Sequence, residues 1–280
     1  MNGIEEVING IERSAANAIK AEQGDYILDG LLHCGKCRTP KQCRIEIFGK
    51  ERTPMCLCKC ESARRDREEE ERQREAFLRK IKEYRKMGFP ESDMQHWNFA
   101  NDDLSNEKIT KAMQNYVENF AELRKTGKGL LLYGTVGTGK TFAACEVANA
   151  LIDKGYPVLV TNFARLTNTI QGMFEGKQEY IDSLNRFQLL VIDDLGAERK
   201  SEFMQEMVFN IIDSRYRSGL PLIVTTNLTI DEIKKPSDIG NTRIYDRILE
   251  RCFPIEVTGG SRRRKAVREG YEDMKTLLGL

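Results

Sequence analysis

The sequence predicts an α/β protein: a three-layer α/β domain preceded by a small cysteine-rich domain and a helical linker. Three observations predict it. From Leu130 onward, short apolar runs alternate with stretches of helical periodicity, the pattern of buried parallel strands joined by helices. Between the first of those runs and its helix lies Gly134-Thr135-Val136-Gly137-Thr138-Gly139-Lys140-Thr141, a glycine-rich turn in strand-to-helix context. Six of the eight cysteines crowd between Cys34 and Cys60, leaving Cys145 and Cys252 alone.

Composition narrows the class of molecule. The 280 residues suffice for one or two domains with a sizeable core. A formal net charge of +1 spreads no basic field over the whole surface, so any contact with nucleic acid must be a local patch. No apolar run is long enough to span a bilayer, and the first residues lack the basic-then-apolar pattern of a secretory signal. A cytoplasmic protein without membrane contact is expected. In a reducing compartment, clustered cysteines point to metal before disulfide.

In chain order, Ile4, Val7, Ile8, Ile11, Ala15, Ala18 and Ile19 form one helical stripe, to pack on the rest of a small domain or to dock a partner. Next come Cys34-Gly35-Lys36-Cys37, Cys43 and Cys56-Leu57-Cys58-Lys59-Cys60. A C-x-x-C knuckle sets two thiolates on one ion, and a later pair completes the tetrahedron of soft ligands that suits Zn²⁺. Cys34, Cys37, Cys58 and Cys60 are the preferred ligands, with Cys56 the rival to Cys58 and Cys43 a more remote one. Arg44 to Lys50 reads as a hairpin between the pairs, and His33 as a bystander. Interleaved arginines and glutamates from Arg64 then predict a solvated helix held by pairs three and four residues apart. Its later part gains an apolar edge at Phe77, Ile81 and Tyr84, and it stops at Gly88. The expected division is a helix plus zinc-binding domain over 1–62, a linker over 63–88 and an α/β domain over 89–280.

Within that domain the reading gives one helix over Ser105–Arg124, then the glycine-rich turn. Gly134, Gly137 and Gly139 let backbone N–H groups converge on phosphate oxygens, with the residues between them and Phe142 at the helix start completing the site. Lys140 supplies positive charge to the β- and γ-phosphates, and Thr141 is placed to ligate Mg²⁺. Together these imply a bound nucleoside triphosphate such as ATP. A strand at Tyr156–Val160 follows, then a helix containing Leu166, Ile170 and Phe174. Leu189-Leu190-Val191-Ile192-Asp193-Asp194 is an apolar strand ending in two acids. Asp193 is expected to hold Mg²⁺ through water, and Asp194 to orient the attacking water. A helix over Glu202–Arg217 has Phe203, Met207, Ile211 and Ile212 inward. The strand Leu220–Thr226 ends at Asn227, whose amide could meet the γ-phosphate or that water. Gly240–Arg251 is an arginine-studded helix, able to offer an arginine to a neighbouring subunit. Ser261-Arg262-Arg263-Arg264-Lys265 is a dense basic cluster.

The phosphate loop, the Ile192-Asp193-Asp194-Leu195-Gly196 strand end, Thr225-Thr226-Asn227 and the Arg247 helix together resemble the AAA+ ATPases. Within that class they look like the DnaC/DnaI helicase loaders and the similar IstB transposition ATPases, over about Trp97 to Arg263. The cysteine-rich half resembles loaders of the DnaI type, whose zinc-bearing domain engages the replicative helicase. The resemblance implies Lys140 and Thr141 as the Walker A pair, Asp193 as the magnesium acid and Asn227 as the first sensor. It further implies Arg247 as a finger acting on the neighbouring subunit, with Arg243 as runner-up, Arg263 as the second sensor and Trp97 to Phe99 as lining for the adenine. Two departures stand out. Asp194 occupies a place where most of the class has the longer Glu, so hydrolysis is expected to be slow. The chain after Arg251 is too short for a full helical lid, so a rudimentary one is expected.

The function so implied is ATP-dependent loading of a hexameric replicative helicase onto single-stranded DNA by a self-associating ATPase. The competing readings are an IstB-like regulator that brings a transposase to duplex DNA, and a nucleotide-gated adaptor with little hydrolysis. Arg199, Lys200 and Phe203 are candidates for a DNA-facing loop, although the simpler reading puts Phe203 in the core.

Overall fold

The computed structural model describes residues 21–196, 202–236, 238–260, 271 and 274–279. The expected N-terminal helix, Arg199, Lys200, the basic cluster with Arg263, and most of any lid lie outside those residues. The chain divides into two compact units, Met1–Leu78 and Arg79–Leu280.

The first unit contains two short hairpins: β1 (Tyr26–Leu28) with β2 (Leu31–His33), and β3 (Ile45–Ile47) with β4 (Lys50–Arg52). Both turn through two residues with positive φ, Asp29-Gly30 and Phe48-Gly49, which matches the right-handed twist of the strands. The first hairpin was missed in the sequence, although its Asp-Gly pair is the signal for it. Helix α1 (Lys59–Gly88) begins at the last cysteines, and the unit boundary falls within it. Its exposed arginines pair locally, as Arg64 does with Glu61 and Glu68. Among the described residues this unit buries only Cys34 and Cys58 of its apolar side chains.

The second unit is the expected α/β layer structure. Its elements are α2 (Glu107–Glu118), α3 (Phe120–Thr126), β5 (Gly129–Tyr133), α4 (Lys140–Asp153), β6 (Val158–Asn162), α5 (Phe163–Gln171) and α6 (Lys177–Ser183). There follow β7 (Leu189–Leu195), α7 (Glu202–Ser218), β8 (Leu222–Thr226), α8 (Ile230–Lys234), α9 (Ile239–Arg251) and β9 (Cys252–Glu256). Five parallel strands run in the order β6-β7-β8-β5-β9. One core layer gathers Met113, Phe120, Leu132, Val147, Leu151 and Val160 against α2 to α4, with Ile81 and Tyr84 at its edge. The opposite layer gathers Leu131, Leu166, Ile192, Ile211, Val224 and Ile248 against α5, α7 and α9. Strand residues alternate between the layers, as the two-residue period of a strand buried on both faces requires.

Three expectations need correction. The single helix over 105–124 is broken at Asn119, whose backbone leaves helical geometry and whose side-chain amide also donates to the Asn115 carbonyl. Phe174 lies beyond the end of α5 and is fully exposed, because α5 stops at Gln171. Phe203 is half exposed rather than inward, while Met207, Ile211 and Ile212 are buried.

Candidate nucleotide site and cysteine centre

Strand β5 delivers the chain to the glycine-rich turn, and α4 leaves it at Lys140. Gly134 has φ +145°, and a Cβ there would stand 2.5 Å from the Val257 carbonyl oxygen, so only glycine fits against the end of β9. Gly139 takes φ +97° immediately before α4, which lets the helix N-terminus face into the loop. The Thr138 hydroxyl donates to the Thr135 carbonyl at 3.0 Å, bracing the loop from within. The Lys140 ammonium is buried and donates to the carbonyls of Gly134 (2.9 Å) and Thr135 (2.8 Å). A cation, the positive end of a helix and a concave backbone converge on one point, the chemistry of a polyphosphate site. Val136 stands exposed at the crest of the loop.

The acids lie across the sheet from this loop. Strand β8 stands between β5 and β7, so the Thr141 hydroxyl reaches over its end to Asp193, 2.8 Å from Oδ1 and 3.1 Å from Oδ2. Burial raises the Asp193 carboxyl above its usual range, opposed by hydrogen bonds from Thr225 and Thr141. A divalent cation there would favour the ionised form. Two consecutive strand residues ordinarily point to opposite faces. Here the pairing steps from Ile192↔Val224 to Leu195↔Thr226, one extra residue on β7, and Asp194 takes φ +56° in that bulge. The Asn227 amide approaches the Asp194 carboxylate at 3.5 Å.

Trp97 stacks on Phe142 with ring centroids 6.1 Å apart, beside the first turn of α4. The buried Asn149 holds this segment: its amide donates to the carbonyls of Met94 (2.9 Å) and Trp97 (3.0 Å), and its oxygen accepts from Arg85. Asn149 was missed because a lone amide in an apolar helix gives no pattern to read.

Arg247 is engaged within its own unit. Its Nε donates to Asp213 Oδ1 at 2.8 Å, and its guanidinium lies over Phe209 (4.6 Å) and near Tyr216 (5.7 Å). One turn earlier, Arg243 is exposed. Asp213, on α7, carried no signal in the sequence that separated it from other helical acids.

In the first unit, ligand atoms of Cys34, Cys37, Cys58 and Cys60 all lie within 4.8 Å of one another. Cys34 and Cys58 approach Cys60 to 3.6 and 3.4 Å. Four sulfurs at Zn–S bond length in a tetrahedron stand ~3.8 Å apart, so this set fits zinc. Cys43 and Cys56 face other partners, the carbonyls of Pro54 and Pro40. The Thr39 hydroxyl and backbone amides pull the Cys37 thiol down to about 5, whereas the neighbouring sulfurs push the Cys60 thiol up to about 12. Four thiols this close cannot all ionise without a cation between them. Asp25 pins the knuckle: its carboxylate accepts from Lys41 Nζ (2.6 Å) and the amides of Gly35 (3.0 Å) and Glu22 (2.8 Å), which hold it at about 2. His33 lies outside the cluster and bonds the Leu31 carbonyl through Nδ1.

A family model described as IstB-like ATP binding protein matches residues 50–270. The replicative helicase loader DnaI of Bacillus subtilis is 28% identical over 201 residues, 66% of this chain and 64% of that protein. A putative insertion sequence ATP-binding protein of Sinorhizobium fredii is 29% identical over 150 residues, 51% of this chain and 49% of that protein. The chain therefore spans about half to two-thirds of the length of these relatives. A crystal structure of DnaI superposes with a TM-score of 0.53 at 24% identity, over 64% of this chain and 98% of that one, a likeness of fold.

Proposed function

The chain belongs to the family of IstB-like ATP binding proteins, and on that premise we propose that it is an ATP-dependent loader of a replicative DNA helicase. The observation that carries the nucleotide half is the hydroxyl of Thr141 on the carboxylate of Asp193, which joins the phosphate loop to the acid strand in one site. ATP binds with its phosphates in the loop from Gly134 to Thr141, with Lys140 on the β- and γ-phosphates and the base beside Trp97 and Phe142. Thr141 and Asp193 hold Mg²⁺, which neutralises the developing phosphate charge. Asp194 and Asn227 orient the attacking water. Asp194 is short by a methylene and sits in a bulge, so turnover is slow.

Subunits associate side by side, and an arginine of α9 completes the neighbour's site. Arg247 fills that role if it leaves Asp213; Arg243, already exposed, is the alternative. Arg263 senses the nucleotide. The assembly grips single-stranded DNA, and the zinc unit recruits the hexameric helicase. The loader reading is supported by the length of the match to DnaI and by a cysteine centre in a unit separate from the ATPase. The likeness to an insertion sequence protein supports the second reading, in which the partner is a transposase and the DNA duplex.

The test is capture of the source organism's replicative helicase by the zinc-loaded full-length chain, in parallel with a chelator-treated sample. Capture that is lost with the metal supports the loader. No capture by zinc-loaded, nucleotide-binding protein would overturn it and favour the transposase partner.

A further inference from the structure

Thr225 is fully buried near the end of β8, where its neighbours Leu222, Ile223 and Val224 are apolar. A hydroxyl in that position needs partners, and both of its partners belong to the acid pair. It donates to Asp193 Oδ1 at 2.5 Å, and it accepts the backbone N–H of Asp194 at 3.0 Å. The second bond answers a need created by the bulge. At Asp194 the ladder between β7 and β8 is interrupted, and the extra residue's N–H loses its cross-strand carbonyl. Thr225 supplies the acceptor in its place. Asp193 Oδ1 thus receives two hydroxyls, from Thr141 on the phosphate-loop helix and from Thr225 on the intervening strand. Together they restrain the carboxylate, Thr141 reaching Oδ2 as well.

We propose that Thr225 is the positioning residue of the nucleotide site: its hydroxyl orients the Asp193 carboxylate for the cation and closes the bulge that brings Asp194 to the same edge. The inference rests on the nucleotide reading above. Both hydrogen bonds of the Thr225 hydroxyl go to the acid pair, so Thr225 acts through the two acids. Its neighbour Thr226 is an internal control. That residue is equally buried, and its hydroxyl donates to the Leu195 carbonyl at 2.7 Å, supporting the strand end without touching either acid.

The test compares Thr225→Val, Thr225→Ser and Thr226→Val in the full-length protein. The measurement is the affinity of a fluorescent ATP analogue with Mg²⁺ and with EDTA, alongside turnover. Affinity in EDTA should stay within about twofold of wild type for every variant, because the phosphate loop is untouched. In Thr225→Val the gain in affinity on adding Mg²⁺ should shrink about 10- to 100-fold, the range for loss of a group that orients a metal ligand. Turnover should fall with it. Thr225→Ser should restore both, and Thr226→Val should keep the full Mg²⁺ gain. If Thr225→Val does not fold, Thr225→Ala removes the same hydroxyl without the bulk and should give the same loss. A folded Thr225→Val or Thr225→Ala with the wild-type Mg²⁺ gain would overturn the inference. A wild-type chain that binds no nucleotide would instead remove the nucleotide reading beneath it.

Discussion

The two units of this chain keep their order by opposite means. The α/β unit has two apolar layers on a five-stranded sheet, and its site is a set of polar groups at one edge of a core that stands without them. The described residues of the cysteine unit form no such layers: Cys34 and Cys58 are the only buried apolar side chains among them, while Ile27 and Phe48 are 74% and 78% exposed. There the four-sulfur centre is both site and core. With so little burial among its described residues, this unit is expected to order only with an ion between its four sulfurs, which would make folding and metal binding one equilibrium. Chemistry at a site can thus be a consequence of stability in one region and the cause of it in another.

The sharpest way to break this contrast is to remove one sulfur. Cys58→Ser should abolish zinc binding and unfold the hairpins of the first unit, read by zinc content and circular dichroism, while nucleotide affinity stays within about twofold. Lys140→Ala should do the converse: zinc content is unchanged, and turnover falls about 10²- to 10³-fold with the loss of the charge aimed at the phosphates. In the α/β core, Leu131→Ala leaves a cavity at a fully buried strand position and should cost about 2–5 kcal/mol in denaturant unfolding. Asp25→Ala removes the carboxylate that pins the knuckle through Gly35 and neutralises Lys41, and should weaken zinc about 10- to 100-fold in a chelator competition. Phe48→Ala, a larger deletion than Leu131→Ala but at an exposed hairpin tip, should change stability by no more than about 0.5 kcal/mol.

The same contrast governs what the sequence could tell. The α/β unit was legible where residue type and local context suffice: a glycine-rich turn between strand and helix, and an apolar run ending in acids. It was illegible where function depends on a contact made far along the chain. Thr225 joins Asp193 only because β8 threads between β5 and β7, and Asp213 holds Arg247 only because α7 packs on α9. A signal existed for Thr225, since two threonines close an otherwise apolar strand, but nothing local names its partner. Phe203 and Phe174 misled because apolar type implies burial only when periodicity continues, and α5 ends before Phe174. In the cysteine unit the spacing brought the set down to a few alternatives. The choice between Cys56 and Cys58 is visible only in the fold, where Cys56 turns to the Pro40 carbonyl and Cys58 to Cys60.

The measurement that tests this account most directly is hydrogen exchange on the full-length protein before and after zinc is chelated. Amides of the two hairpins, residues 26–33 and 45–52, should lose their protection when the metal leaves. Those of β5, β7 and β8 should exchange as slowly as before. Hairpins that remain protected without zinc, or a parallel sheet that opens together with them, would contradict it.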